Sequence, residues 1–381
     1  MSVPLPRLIA SSRHAPTLRD AVAAVRRRRV DLILAGPRGQ VGGALRRLLA
    51  REAAGIAART GVALRLRAAF DRRGMAQDPA GLDPFPAAAA FASRHPRDWA
   101  DLVEQTVDHG TPTMLVDCTA SESLADEYAG LLAVGIGVAG ANKRAGAGPL
   151  ARWTQLQELA ANGGAPWRYE TTVGAALPVL STLRALRLRG ERILAIEGVL
   201  SGSLSYVLSR LHEGASFSGA VAEARAKGYT EPDPREDLAA RDLARKIVIL
   251  AREAGVPVEA DDVAIEPLVD PVAWSPDAPD GATDFRWRVR ADDAEARGRR
   301  LVAVASWDVD GARVAVRDVP QDSPLARVRA GENLLRIRTE FHDALPLLIG
   351  GPGAGPEVTA AGVLGDILSA ARALLAGRRG D

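Results

Sequence analysis

The stretch VDLILAGPRGQVGGALRRLLA, residues 30–50, passes from an apolar run through closely spaced glycines into a helical pattern. An unbroken apolar run of this length is typical of a buried strand, and the spacing of Leu and Ala after the glycines is typical of a helix. A strand, a glycine turn and a helix in this order bind dinucleotides, with the pyrophosphate at the helix N-terminus. The stretch therefore predicts a dinucleotide cofactor.

The glycine spacing departs from the usual G-x-G-x-x-G fingerprint, because Pro37 stands where the first glycine would be. The remaining spacing is G-x-x-G-x-x-G, and proline in this turn could shift the turn or weaken cofactor binding. The cofactor contacts predicted in this turn are Gly36, Arg38, Gly39, Gln40, Val41 and Gly42.

The end of the second predicted strand, VALRLRAAF (62–70), carries opposing signals about the cofactor. Asp71 stands where an acid would accept the ribose 2′-hydroxyl of NAD. Arg72, Arg73 and Arg38 could instead hold the 2′-phosphate of NADP. The sequence leaves both cofactors open, and the excess of arginine favours NADP(H).

Strands and helices alternate from residue 30 to about residue 165, which predicts a parallel sheet with right-handed crossovers. Beyond that point the pattern is α+β, with a hairpin at Asp310-Gly311 and one long helix at the end. We therefore expect an α/β protein with a Rossmann-type dinucleotide-binding domain over 30–165 and a substrate-binding and dimerisation domain over 166–346. We further expect residues 1–29 to form an N-terminal extension with a short basic helix over 17–29, and residues 72–96 to form a long surface loop with some helix.

Composition narrows the class of protein. The 381 residues are 47% hydrophobic and carry a net charge of only +2, with the basic residues interleaved among acids, so no nucleic acid partner is expected. The single cysteine, Cys118, suits a reducing cytoplasm. No apolar run reaches the length of a membrane span, no secretory signal is evident, and the histidines lack metal-ligand spacing.

A second stretch, GYTEPDPREDLAARDLARKIVIL (228–250), contains a lysine that stands out. The chain has 49 Lys and Arg residues, and its lysines are Lys143, Lys227 and Lys246. Asp242 and Lys246 are four residues apart on a predicted helix that becomes apolar, so Lys246 lies where solvent gives way to core. A partly desolvated lysine can exchange a proton near neutral pH, whereas arginine cannot. A surface ion pair would explain the same spacing, and chance would explain Lys227.

This stretch closely resembles the signature of homoserine dehydrogenases. The resemblance extends over about residues 30–376, and it is closest to the dehydrogenase half of bifunctional aspartokinase–homoserine dehydrogenases, without their kinase part. The motifs that carry it include DCTAS (117–121), ANKRA (141–145), YETTVGAALPV (169–179), GVLSGSLSYVLSRL (198–211), GEN (331–333) and GPGAGPEVTAAGV (351–363).

The resemblance implies an NAD(P)-dependent homoserine dehydrogenase that interconverts L-homoserine and L-aspartate 4-semialdehyde. It also implies a homodimer, and a C-terminal segment, 347–381, that returns to the dinucleotide-binding domain. Its implied catalytic residues are Lys246, Lys143 and Asp242. Its implied substrate contacts are Glu231, Asp237, Tyr229 and Ser203; its further cofactor contacts are Thr119, Asn142, Gly353 and Thr359. A structural sodium ion is implied at Glu170, Val173, Ala175 and Leu177, where hard oxygen ligands suit an alkali cation.

Three alternatives stay open. An acylating semialdehyde dehydrogenase would use Cys118 as nucleophile, but this chemistry needs a base that the neighbouring sequence lacks. A non-catalytic dehydrogenase-like subunit would explain Pro37. A paralogue could act on another γ-hydroxy amino acid.

Overall fold

The computed structural model describes residues 28–82, 99–163, 165–278 and 281–377. Within these residues the apolar run after residue 28 is the central strand of a six-stranded sheet of order β3-β2-β1-β4-β5-β6. Its strands are β1 Arg29–Ala35, β2 Ala63–Asp71, β3 Gly74–Gln77, β4 Thr113–Asp117, β5 Gly137–Gly140 and β6 Trp167–Arg168. All neighbours run parallel except β3, which pairs antiparallel with β2.

Helices connect these strands, so the carboxyl ends of β1, β2, β4 and β5 meet at one edge of the sheet. The helices are α1 Gln40–Thr60, α2 Trp99–Asp108, α3 Glu122–Asp126, α4 Tyr128–Ala133, α5 Lys143–Ala147 and α6 Leu150–Ala161. The predicted Rossmann-type sheet is confirmed, although β3 occupies part of the predicted loop 72–96. The rest of that loop beyond residue 82, and residues 17–27 of the N-terminal helix, lie outside the described residues.

The last helix, α13 (Pro356–Gly377), packs on this first sheet. Its buried side chains share an apolar cluster with β1, β2 and α1, and Glu357 forms an ion pair with Arg47 of α1. By length and composition α13 could cross a membrane, which differs from the sequence expectation that no apolar run is long enough. Its alanines and larger apolar residues raise its mean hydropathy, and a small residue such as Gly362, where a Cβ would lie 2.7 Å from the Ala175 carbonyl oxygen, allows close packing. The predicted return of the C-terminus to the dinucleotide-binding sheet is confirmed.

The second sheet has six strands, all of which follow the first sheet in the chain, in the order β12-β11-β7-β9-β10-β8. The strands are β7 Ile193–Val199, β8 Ala264–Ile265, β9 Arg299–Asp308, β10 Gly311–Pro320, β11 Glu332–Thr339 and β12 Leu347–Pro352. The predicted β9–β10 hairpin forms, although its turn is Val309-Asp310 and Gly311 already pairs with Asp308. Apart from the parallel pair β8–β10, the neighbours are antiparallel, which confirms the α+β character of this part.

Helices cover one face of the second sheet and complete the main core. They are α7 Leu180–Leu188, α8 Gly202–His212, α9 Phe217–Ala226, α10 Arg235–Leu238, α11 Arg241–Glu253 and α12 Gly281–Ala296. The sequence predicted one helix from about Leu238. The structure instead ends α10 at that residue and begins α11 at Arg241, because Ala240 has a left-handed backbone with φ 56°. This break directs the start of α11 towards the first sheet.

Candidate active site

The glycine turn after β1 forms despite Pro37. Gly36 adopts φ 78°, which favours glycine, and the amide of Gly39 donates to the carbonyl of Gly36 at 3.1 Å. A Cβ at Gly42 would lie 2.1 Å from the Gly36 carbonyl oxygen, so only glycine lets α1 begin this close to the turn. The turn therefore presents the N-terminus of α1 at the carboxyl edge of the sheet.

A cavity of about 800 Å³ opens in front of this turn. Of the residues predicted to bind the cofactor, six line it: Gly36, Arg38, Gly39, Asp71, Arg72 and Thr119. The others do not line it: Gln40, Val41 and Gly42 form the first turn of α1, Asn142 caps α5, Gly353 follows β12 and Thr359 lies in the first turn of α13. Gly353 packs against Asn333, whose side-chain amide donates to the Gly353 carbonyl at 3.2 Å.

Asp71 is held by arginine within this cavity. Its carboxylate accepts two hydrogen bonds from Arg38, both 2.5 Å long, and one from the amide of Arg73 at 2.7 Å. Burial opposes the charge, but the hydrogen bonds and charge of Arg38 lower the pKa of Asp71 overall. The acid predicted to accept ribose hydroxyls is thus already paired, and sequence reasoning did not anticipate this pairing.

Asp117, at the end of β4, is fully buried and directly precedes the cavity-lining residues Cys118 and Thr119. Its carboxylate accepts hydrogen bonds from Tyr128 Oη at 2.7 Å, Asn142 Nδ2 at 2.9 Å and the Thr119 amide at 2.7 Å. The motif DCTAS (117–121) includes Asp117, but the sequence alone indicated no role for this residue. Burial and the nearby Asp117 charge raise the pKa of Cys118, so a thiolate nucleophile is disfavoured.

Two lysines from different parts of the chain meet on Asp242. Lys143 follows β5 at the start of α5, and its Nζ lies 3.3 Å from Asp242 Oδ1. Lys246, one turn further along α11, lies 2.9 Å from Asp242 Oδ2 and donates to the Leu200 carbonyl at 2.6 Å. The structure therefore brings the three predicted catalytic residues together, at the contact between the two sheets' helices.

The electrostatics of this lysine pair favour proton exchange. Lys246 is only 8% exposed, and burial together with the charge of Lys143 lowers its pKa, against the opposing effect of Asp242. Burial would raise the pKa of Asp242, but the two lysine charges outweigh it and lower that pKa. A carboxylate that stays ionised beside a desolvated ammonium group matches the requirements for acid–base catalysis.

The predicted substrate acids lie beside this cluster. Asp237 accepts hydrogen bonds from Ser203 Oγ and from the Glu231 amide, each 2.9 Å long. Burial, with the Glu231 and Asp242 charges, raises the pKa of Asp237. The Glu231 side chain is exposed, and Tyr229 packs on Tyr206 with ring centroids 4.8 Å apart. Lys227 forms an exposed ion pair with Glu223, so this lysine, which the sequence analysis attributed to chance, lies outside the cluster.

The turn around Glu170 contains an unpartnered oxygen. Glu170 Oε2 accepts from the Ser181 amide at 2.8 Å, whereas buried Oε1 has no hydrogen-bond partner among the described residues. Burial raises the pKa of this carboxyl group. Ala175, in the following loop, has φ 54°. Asp366 of α13, which sequence reasoning missed, accepts from the Glu170 and Thr171 amides, and burial raises its pKa to about 6.

A parallel dinucleotide-binding sheet beside a lysine–carboxylate cluster defines the class as an oxidoreductase with a nicotinamide-binding domain. Two family models match in succession: the homoserine dehydrogenase NAD-binding domain over residues 38–170 and homoserine dehydrogenase over 178–368. The chain belongs to the homoserine dehydrogenase family.

Known proteins agree with this assignment. A bifunctional aspartokinase/homoserine dehydrogenase from Zea mays is 41% identical over 72% of this chain and 31% of its own length, so the chain spans about a third of that relative. A Candida auris protein of unknown function is 33% identical, with a TM-score of 0.79 over 90% of this chain and 98% of that one. A hyperthermophilic archaeal homoserine dehydrogenase in complex with NADPH is 27% identical, with a TM-score of 0.71 over 90% and 97%.

Proposed function

We propose that this chain catalyses the NAD(P)-dependent interconversion of L-homoserine and L-aspartate 4-semialdehyde. The observation that carries the proposal is the meeting of Lys143 and Lys246 on Asp242 beside the dinucleotide cavity. A bound nicotinamide supplies the hydride for aldehyde reduction and accepts it in the reverse direction. The protein must then supply or remove the proton at the substrate oxygen.

The two lysines are suited to that proton transfer. During reduction, one lysine ammonium donates its proton as the carbonyl oxygen becomes a hydroxyl, and it ends neutral. The other lysine stabilises negative charge that develops on the oxygen. Lys246 is the better donor candidate, because its burial lowers its pKa and eases release of the proton.

The acids beside the lysines support an amino-bearing substrate. Asp237 is partly buried and hydrogen-bonded to Ser203, and its charge acts on Lys246 by raising that lysine's pKa against the effect of burial. A carboxylate in such a position pairs with the ammonium group of an amino acid, while Glu231 adds negative charge at the entrance. This pairing favours an amino-acid aldehyde over an unsubstituted one.

The charge around the cavity supports NADP(H) over NAD(H). Arg38 already neutralises Asp71, so this acid has little negative charge left to repel a 2′-phosphate. Arg72 and Arg73 add two further positive charges at the same edge. The structure of the similar archaeal homoserine dehydrogenase is a complex with NADPH, which supports this preference.

The turn around Glu170 fits a monovalent cation of structural role. Glu170 would hold it through its unpartnered Oε1, together with backbone carbonyls of Val173, Ala175 and Leu177. Such an ion would neutralise a buried carboxylate and stiffen the loop that leads into α7, with no part in the chemistry.

A steady-state assay with L-aspartate 4-semialdehyde tests the activity, with NADH and NADPH compared at equal concentration. We expect turnover with both and a lower KM for NADPH. Dissociation constants for both cofactors in wild type and Arg72→Gln test the preference: the variant should weaken NADPH binding and leave NADH binding almost unchanged. Tighter binding of NADH by wild type would contradict the preference, and absence of turnover with either cofactor would contradict the activity.

A further inference from the structure

A second cavity with a polar lining, of about 430 Å³, lies beside the second sheet, and none of the three residues of the lysine cluster lines it. It is enclosed by one side of α8, the start of β9 and the turn Pro324–Arg327 with the three residues that follow. None of the residues assigned above to substrate, cofactor or cation lines it.

The lining of this cavity is strongly basic. Arg300, Arg327 and Arg329 line it, and within the described residues none of the three forms an ion pair. The same ranges contribute no acidic side chain to the lining. In this chain most described arginines near these strands are paired, as Arg299 is with Asp318 at 3.2 Å. Glu332 accepts from the Arg329 amide at 3.0 Å, and the Glu295 charge acts on His212, but neither acid lines the cavity. Three guanidinium groups without an ion pair therefore leave an excess of positive charge in the lining.

Two further polar residues, Ser205 and His212, line the same cavity. Ser205 lines the cavity, and its Oγ is buried with no hydrogen-bond partner among the described residues. His212 Nε2 accepts from the Leu301 amide at 2.8 Å, which places the proton of the neutral ring on Nδ1. Burial and the Arg300 charge lower the pKa of His212 and favour that neutral form. Ser205 offers an unused hydroxyl donor in a place where an unsatisfied group is costly.

We propose that this cavity binds a phosphate-type oxyanion, either inorganic phosphate or the phosphoryl group of a small metabolite. Guanidinium groups and a hydroxyl are the donors that such an anion uses, and arginine binds it bidentately. The cavity is polar and basic, so an apolar ligand or a cation fits it poorly.

Binding of an anion in this cavity would affect the proposed substrate site through one helix, α8. Ser203 lies in the first turn of α8, and Ser205 lies two residues further along the same helix. On the other side, a Cβ at Gly202 would lie 3.8 Å from Gly331, which follows the arginine-bearing loop. An anion held between Arg327, Arg329 and Ser205 would thus tie that loop to the helix that positions Ser203.

Isothermal titration of the full chain with inorganic phosphate tests the proposal, at constant ionic strength and with chloride as the balancing anion. Because each variant removes charge-assisted hydrogen bonds to the anion, we expect Arg300→Gln and the double variant Arg327→Gln/Arg329→Gln each to raise the Kd at least about tenfold. Arg372→Gln is the matched control, since it removes the same charge from an exposed position on α13. An equal loss in this control would overturn the proposal, because it would show only a general charge effect.

The dinucleotide cavity could also attract phosphate, so Arg72→Gln is titrated alongside. Binding that persists in this variant and is lost in Arg300→Gln supports the proposed site. The reverse result places the phosphate in the cofactor cavity and overturns the proposal, as does absence of phosphate binding in wild type. Glycerol phosphate, titrated in parallel, separates the two sources: tighter binding than inorganic phosphate identifies a phosphoryl-bearing metabolite, and weaker binding identifies the free anion. Thermal unfolding of each variant confirms that it is folded.

Discussion

Lys246 is buried, and its ammonium group contacts both the carboxylate of Asp242 and the carbonyl of Leu200. Arginine could keep the charge at this position but could not release a proton. We therefore expect Lys246→Arg to lower kcat about 10²- to 10⁴-fold while the circular dichroism spectrum is retained.

Lys227→Arg is the control for this substitution, because Lys227 lies on the surface in an ion pair with Glu223. Its kcat should match that of wild type. Normal turnover in Lys246→Arg, in a folded protein, would remove Lys246 from the proton-transfer step.

Asp242 gives a pH-dependent test of the lysine cluster. Reduction needs a protonated lysine, so kcat in that direction should fall as pH rises through the pKa of Lys246, which burial lowers. The Asp242 charge opposes this lowering, so Asp242→Asn should lower the pKa further and move the alkaline limb of the profile to lower pH. The measurement is kcat against pH for both proteins. A limb that stays in place or moves to higher pH would show that Asp242 does not control the donor.

Asp237 is expected to act on substrate binding. Since a hydrogen bond to a charged group contributes about 1.5–3 kcal/mol, Asp237→Asn should raise KM for the amino aldehyde about 10- to 100-fold and change kcat less. Asp233→Asn, in an acid paired with Arg235 on the same loop, serves as control. An unchanged KM in Asp237→Asn would exclude this residue from ammonium binding.

At this scale, sequence spacing alone could predict only the contact between Asp242 and Lys246, because both lie on one helix. Lys143 joins them from 99 residues away through the tertiary fold, and only the family resemblance indicated it. Asp117 and Asp366 were missed because their partners are backbone amides and side chains that the fold brings together. The Arg38–Asp71 pair was missed for the same reason.

At the scale of the element, the turn between β1 and α1 depends on one close contact. Gly42→Ala would place a methyl group on the Gly36 carbonyl, where a Cβ would be 2.1 Å away. Overpacking of this kind costs about 1–3 kcal/mol, so we expect weaker NADPH binding and a lower Tm. Gly43→Ala is the matched control, because its Cβ would meet only the end of the Arg47 side chain, at 3.7 Å. Equal cofactor affinity in the two variants would show that the turn accommodates a methyl group at residue 42.

Elements with a strong local pattern were predictable, such as β1, the β9–β10 hairpin and α13. The start of α11 was not, because nothing in the run of alanines before Arg241 indicates the left-handed backbone of Ala240. A non-glycine residue in that region persists only where surrounding packing determines it. Ala240 is 2% exposed, so the packing around it supplies that constraint.

At the scale of the whole molecule, we propose that two copies pair through the second sheet. Apolar side chains remain exposed near its β11–β12 edge, including Phe341 at 77%, Leu345 at 83% and Leu348 at 50%. A stable homodimer would bury roughly 1,200 Å² or more. Light scattering at micromolar concentration should give twice the chain mass, and Leu345→Glu should shift the equilibrium towards monomer. A wild-type monomer at that concentration would contradict the proposal.

The two-sheet organisation was predictable because strand and helix patterns alternate before residue 165 and change after it. The position of α13 on the first sheet was not readable from local pattern, since its apolar residues would suit either sheet; the family resemblance alone placed it.

That position has a consequence for the order in which the chain can fold during synthesis. Val30, Leu32 and Leu34 face Val363 and Ile367 of α13 in one cluster, separated by more than 300 residues of chain. During translation the strands of the first sheet can pair before α13 is made. Until then one apolar face of the sheet remains exposed to solvent, where chaperones or other nascent chains can bind it. A premature stop codon shortly before residue 356 would therefore destabilise the first sheet, which is synthesised first, as well as removing the C-terminal helix.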